Sequence, residues 1–277
     1  MTRRCRFLVV LILIAASSAA LFSQDAVVPW DDHYKAALPE GFDPWCGPVV
    51  GVSGPTDVVV ATAQLSNGKP IDIYYPTTSA VLEPRGAVLF VAGNSDVQIR
   101  NEEGRPWMQS SQVLGWARLA AEHGLIAVAY ENDGHPNDCL KTVGQWLRSN
   151  GPDYGIDPAD IGLWSASNSC GVAAGAFRTG TDRFGGIVPR FSVFFYGDIQ
   201  LRSDHDVSIP LFVTCGERDS WADNDGIQRF VNRLRDRGGT VEFMVNSTGS
   251  HAFDVKDDTE ETRAIVEAAL AFMVDQL

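Results

Sequence analysis

Positive charge is scarce in this chain. Its 277 residues carry 22 Lys and Arg against 35 Asp and Glu, a formal charge of −13. Such a surface repels phosphodiester backbones and anionic lipid, so neither nucleic acid nor an anionic membrane is an expected partner. Cysteine is also sparse: there are five, with no CxxC pair and no metal-ligand spacing, and no metal centre is expected. Long apolar runs are missing beyond residues 7–16, and that run is too short to span a bilayer comfortably. It follows Arg3, Arg4 and Arg6 and leads into the small residues 15–20, the layout of an export signal cut after Ala20. The expected location is therefore secreted or periplasmic, with no stable membrane insertion after cleavage. Losing three arginines and no acids takes the formal charge to about −16.

The remaining residues, about 255, are enough for one α/β domain with a substantial core, and no second domain is needed. Residues 21–56 mix Asp, Pro, Gly and aromatics without a helical or strand period, which predicts an irregular arm before a domain spanning 57–277. Cys46 and Cys139 fall in turn-like sequence and are the disulfide candidates, whereas Cys170 and Cys215 sit in apolar segments and read as buried.

Within the domain, strands are predicted over 58–65, 70–75, 86–92, 125–130, 161–164, 191–196, 210–214 and 241–245. Helical periodicity is seen over 107–123, from Asn137 or Asp138 to Asn150, over 226–237 and near the C-terminus. Strands alternating with helices predict a mainly parallel eight-stranded sheet wrapped on both faces. Ligands of such a sheet bind at the carboxyl ends of its strands.

One of those ends is unusual. Residues 161–164 form an apolar run that meets a cramped stretch, Ser165-Ala166-Ser167-Asn168-Ser169, before the small residues of a helix. A strand that turns abruptly into a helix exposes the hydroxyl at its apex near a positive helix N-terminus. Ser167 is the favoured apex, with Ser169 as the rival register.

The run Ile156-Asp157-Pro158-Ala159-Asp160-Ile161-Gly162-Leu163-Trp164-Ser165-Ala166-Ser167-Asn168-Ser169 resembles the nucleophile region of the α/β-hydrolase superfamily, in particular dienelactone-hydrolase-like and carboxylesterase members. Serine stands at both positions where that pattern has glycine, and the extra hydroxymethyl groups are expected to crowd the turn. The resemblance implies a single-domain α/β-hydrolase fold. It also implies an oxyanion hole from the backbone N–H groups of Asn94, in Gly93-Asn94-Ser95, and Asn168. After the next strands, Gly216-Glu217-Arg218-Asp219 matches the family's acid position, with Asp198, Glu217, Asp223 and Asp225 as alternatives. Gly249-Ser250-His251-Ala252-Phe253 matches the histidine loop, while His135 reads as an exposed loop residue. The order Ser167, Asp219, His251, each after a strand, is that of a hydrolase triad.

Taken together these residues predict a serine hydrolase acting on small or polymer-attached esters without a cofactor. Only residues 199–209 separate two of the strands, too few for a cap domain, so a shallow, open pocket is expected, walled by Trp107, Tyr196 and Trp221. The other readings are an inactive binding protein of the same fold and an exported serine peptidase.

Overall fold

The computed structural model of the chain describes residues 27–29, 56–76 and 84–277. The predicted export signal, most of the arm and Cys46 lie outside the described residues.

Among the described residues, nine strands form one sheet. In chain order they are β1 (Val27–Pro29), β2 (Val59–Gln64), β3 (Pro70–Tyr75), β4 (Arg85–Phe90), β5 (Ile126–Tyr130), β6 (Ile156–Ala166), β7 (Ser192–Phe195), β8 (Leu211–Gly216) and β9 (Val241–Asn246), in the spatial order β1-β2-β3-β5-β4-β6-β7-β8-β9. The first three pair antiparallel, β3 pairs antiparallel with β5, and the rest from β5 to β9 are parallel. All eight expected strands are present. The ninth, β1, comes from the stretch read as an irregular arm and lays three residues along the edge of β2. Three residues are too few to show an alternating pattern, so nothing in the sequence marks β1 as a strand.

The helices are α1 (Asp96–Glu103), α2 (Ser111–Glu122), α3 (Pro136–Asn150), α4 (Ser169–Gly175), α5 (Asn224–Asp236), α6 (Phe253–Lys256) and α7 (Glu260–Gln276). Side chains alternate across the sheet as period two demands. Leu89, Leu163, Phe194 and Val213 face a core built with Leu140 and Val143 of α3, Val172 of α4 and Ile227 and Phe230 of α5. Their neighbours Phe90, Trp164, Phe195 and Phe212 face a second core with Val113 and Trp116 of α2, Phe253 of α6 and Ile265 and Leu270 of α7. Trp164 sits 5.2 Å from Trp116 and 5.3 Å from Phe90, ring to ring, in the middle of that second core.

Three local details differ from expectation. The stretch 107–123 is not one helix: a 3₁₀ turn, Trp107–Gln109, precedes α2, and Ser110 caps α2 by accepting from the Val113 N–H. Helix α3 is capped by the ring of His135, which accepts from the Asn137 N–H, so Asn137 and Asp138 lie inside the helix. Cys139, expected in an exposed turn, is therefore on the buried side of the first turn of α3 as a free thiol, and burial pushes its pKa up. Among the described residues no helix is long and apolar enough to cross a membrane, and no group of His, Cys, Asp and Glu could hold a metal ion.

Candidate active site

The carboxyl ends of β4, β6, β7, β8 and β9 form one ledge. Ser167, the first residue after β6, has φ of +52°, a left-handed conformation that a side chain adopts only when its surroundings force it. The forcing contacts are visible: the Ser167 N–H donates to the Phe195 carbonyl (2.9 Å), and the Ser167 carbonyl accepts from the Cys170 N–H (3.1 Å). Two glycines make room for the turn. A Cβ at Gly197 would lie 2.5 Å from the Ser167 carbonyl oxygen, and one at Gly93 would collide with the backbone nitrogen of Ser169.

Asp219 follows β8. One of its oxygens accepts from the N–H groups of Trp221 (2.8 Å) and Ala222 (3.1 Å), while the other is 2.7 Å from Nδ1 of His251. Its side chain has no solvent exposure. A carboxylate in that position can only accept, so Nδ1 carries the proton and Nε2 presents a lone pair. That lone pair lies 3.0 Å from the Ser167 hydroxyl. The imidazole is gripped from its sides by Tyr196 (4.8 Å between rings) and Trp221 (5.3 Å).

The loop after β4 completes the ledge. Asp96 accepts from the N–H groups of Trp107 (2.7 Å) and Asn132 (2.5 Å), and the Asn132 side chain donates to the Asn94 carbonyl (2.7 Å). These bonds fix where residues 93–95 run. Among the described residues, neither the Asn94 nor the Asn168 N–H donates to a protein acceptor. Asp96 is fully buried, and that burial raises its carboxyl pKa to about 6.

Asn94, Ser167, Asn168 and His251 line a cavity of about 450 Å³ together with Trp107, Tyr196 and Trp221. Asp219 stands behind His251. Ser167, Asp219, His251, Asn94, Asn168, Trp107, Tyr196 and Trp221 are therefore brought to one place. Of the cavity's aromatic walls, Trp221 is 75% exposed at the mouth, whereas Tyr196 is buried in the core and offers only part of its ring.

Residues 188–277, which carry the acid and histidine loops, match the model of the dienelactone hydrolase family. Esterase 2 of Thermogutta terrifontis, phosphorylated by paraoxon, superposes with a TM-score of 0.60 at 16% identity, over 78% of this chain and 94% of that one. Its native form gives 0.59 at 17% identity, over 78% and 91%, and its butyrate-bound form 0.58 at 17%, over 77% and 91%. No curated protein matches the chain. This is an α/β-hydrolase fold, dienelactone-hydrolase-like over residues 188–277.

Within that α/β-hydrolase frame the rival residues fall away from the reacting position. The Ser169 hydroxyl is turned inward, donating to the Ala166 carbonyl (2.5 Å) and accepting from its N–H (2.8 Å), so it has no contact with His251. Asp198 lines the cavity but accepts from the Asp223 N–H. Asp223 caps α5 through the Gly226 N–H, and Glu217 and Asp225 are exposed. The elbow serines do not crowd the turn as expected. Ser165 is fully buried with its hydroxyl on the Val193 carbonyl (3.2 Å), and Ser169 is absorbed by Ala166.

Four residues of this α/β-hydrolase ledge escaped the sequence reading: Asp96, Asn132, Gln112 and Asp254. The signal for Asp96 was Ser95-Asp96, a helix cap followed by an acid in the first turn. Helix α1 itself has no continuous apolar face, which is why its periodicity gave no warning. Asp254, directly after the histidine loop, is a buried carboxylate in an apolar setting, and no local pattern announces it.

Proposed function

We propose that this protein is a serine hydrolase that cleaves carboxylic esters through an acyl-enzyme intermediate. The observation that carries the reading is His251 hydrogen-bonded at once to Ser167 and to a buried Asp219. A serine hydroxyl is a weak nucleophile at its own pKa and needs a base within hydrogen-bond reach. His251 takes the Ser167 proton as the oxygen attacks the ester carbonyl. Asp219 keeps the imidazole in the required tautomer and stabilises the imidazolium. The tetrahedral oxyanion is received by the uncommitted N–H groups of Asn94 and Asn168, each worth about 3 kcal/mol in such sites. The imidazolium then hands its proton to the departing alkoxide. Water repeats the sequence on the acyl-serine and releases the acid.

Small or polymer-attached esters are the proposed substrates. The butyrate- and propionate-bound forms of the Thermogutta esterase support short acyl groups as the starting panel, and its paraoxon adduct supports an organophosphorus probe. Export is part of the proposal too: the arginines ahead of the apolar run 7–16 direct the chain out of the cytoplasm, and the N-terminal residue of protein recovered outside the cell tests it.

The decisive experiment is labelling with a fluorophosphonate at neutral pH. Wild type is expected to label, Ser169→Ala to label equally, and Ser167→Ala and His251→Ala to stay unlabelled. Short acyl ester hydrolysis should follow the same pattern, with kcat in the Ser167→Ala protein down by about 10³-fold or more. A folded wild-type protein that neither labels nor hydrolyses esters would overturn the reading in favour of a binding protein.

A further inference from the structure

One wall of the cavity holds a polar group whose orientation is dictated from behind. Gln112, in the first turn of α2, lines the cavity and is half-buried. Its side-chain nitrogen lies 2.9 Å from one oxygen of Asp254 and 2.6 Å from the Tyr196 hydroxyl. The Tyr196 hydroxyl in turn donates to the other Asp254 oxygen (2.7 Å), and the indole N–H of Trp116 donates to the first (2.8 Å). Asp254 and Trp116 are completely buried, and among the described residues no Lys, Arg or His pairs with Asp254. Three neutral side-chain donors, together with its own backbone N–H, solvate this carboxyl group.

That arrangement leaves the Gln112 amide no freedom to turn over. The Asp254 oxygen facing it already receives a hydrogen from Trp116, which can only donate, so the atom 2.9 Å away on the other side must bring a hydrogen as well. The Tyr196 oxygen has given its own hydrogen to Asp254 and has only lone pairs left for Gln112. Both amide hydrogens are thus consumed on the inner side. Turning the amide would set its carbonyl oxygen against the Asp254 oxygen and the Tyr196 lone pairs at once. The Gln112 carbonyl oxygen is therefore held outward, and among the described residues it accepts no hydrogen bond and is not closed off from solvent. The same cavity is lined by the apolar side chains of Ile99, Trp107 and Val255, and by Ser110, whose hydroxyl oxygen already accepts from the Val113 N–H.

We infer that Gln112 is a specificity residue, and that this cavity selects esters carrying a hydroxyl or N–H donor on an otherwise apolar substituent, such as hydroxyacyl esters. The inference rests on the proposed ester hydrolysis and names the substrate class for that same site. A fixed acceptor set among apolar side chains rewards a ligand that brings a donor and is left dehydrated and unpaired by one that does not. The Asp254 carboxyl group and the Tyr196 hydroxyl act on the substrate's donor only through Gln112, and in this role both are positioning groups. Trp116 is one step further back.

The test compares matched pairs: ethyl butyrate against ethyl 2-, 3- and 4-hydroxybutyrate, and propyl butyrate against 2-hydroxyethyl butyrate. Two measurements are made on each pair, kcat/KM with wild type and Kd by calorimetry with Ser167→Ala, which binds without turning over. At least one hydroxylated member should be favoured by about tenfold in both, the worth of one neutral hydrogen bond. Introducing Gln112→Met, which keeps the length and removes the acceptor, should bring that ratio to about one. Tyr196→Phe, which loosens the amide's anchor, should lower it partway and serves if Gln112→Met does not fold. No preference in any pair, or a preference that Gln112→Met and Tyr196→Phe leave intact, overturns the inference. Preferential binding by Ser167→Ala without hydrolysis by wild type would uphold it and sink the esterase reading. Hydrolysis without preference would do the reverse.

Discussion

The elbow after β6 and the loop after β4 face each other across the Ser167 hydroxyl, and both carry larger residues where glycine is the usual choice. They accommodate the difference in opposite ways. At the elbow, Ser165 and Ser169 turn their hydroxyls into the protein and bond to the Val193 carbonyl and the Ala166 backbone. In the loop, Asn94 keeps its side chain at the cavity, near Asn168, and the backbone beneath it is tied down by Asp96 and Asn132. The comparison separates two duties of glycine. Positions that need only a small residue can take serine if its hydroxyl finds a partner, whereas Gly93, pressed on the Ser169 nitrogen, and Gly197, pressed on the Ser167 carbonyl, cannot take any side chain.

Gly93→Ala forces the loop and the elbow apart, and a shift of this kind in a reacting geometry should lower kcat/KM about 10²-fold, read with a short acyl ester. An effect below threefold would mean that the two turns are not in rigid contact. A smaller loss is expected from Asp96→Asn, because the amide can accept only at its oxygen and leaves one of the two backbone N–H groups without its partner. About tenfold in kcat, with KM little changed, marks a displaced oxyanion loop.

The same variant sharpens the electrostatics. A carboxyl whose pKa rises on folding, from 3.8 to about 6 for Asp96, binds more protons in the native state than in the unfolded one. Its ionisation therefore lowers stability as pH climbs between those values, with no further change above them. Urea denaturation from pH 4 to pH 7 should show that decline in wild type and less of it in Asp96→Asn. Asp254, also raised by burial, contributes a part of the same sign in both proteins.

The smallest effect belongs to the elbow. Ser169→Ala removes one hydroxyl bonded at both ends to Ala166 and should cost about 1 kcal/mol of stability, seen as a shift in the denaturation midpoint. Activity should remain within about threefold. A large loss of activity would mean that the Ser169 hydroxyl shapes the nucleophile's turn rather than merely filling it.

These outcomes also bear on what a linear sequence can reveal. The strands that carry Ser167, Asp219 and His251 were legible because each is a short apolar run ending in a polar turn, and because the three side chains occur in a functional order. The choice between Ser167 and Ser169 was not, since it depends on which hydroxyl the fold buries. Gln112, Tyr196 and Asp254 were hidden more deeply. They come from α2, the end of β7 and α6, and meet only because those elements pack on one face of the sheet. A wall residue such as Tyr196 can be chosen for its size, but its φ of +40° and its hydroxyl's partners belong to tertiary structure.

His251, the proposed base, stands on the loop that follows β9, at the far edge of the sheet from β1. On the ribosome the serine, the oxyanion loop and the acid are all made before it. On the proposed mechanism, a chain halted anywhere short of His251 holds a serine without its base, and ester cleavage waits for the loop that follows β9.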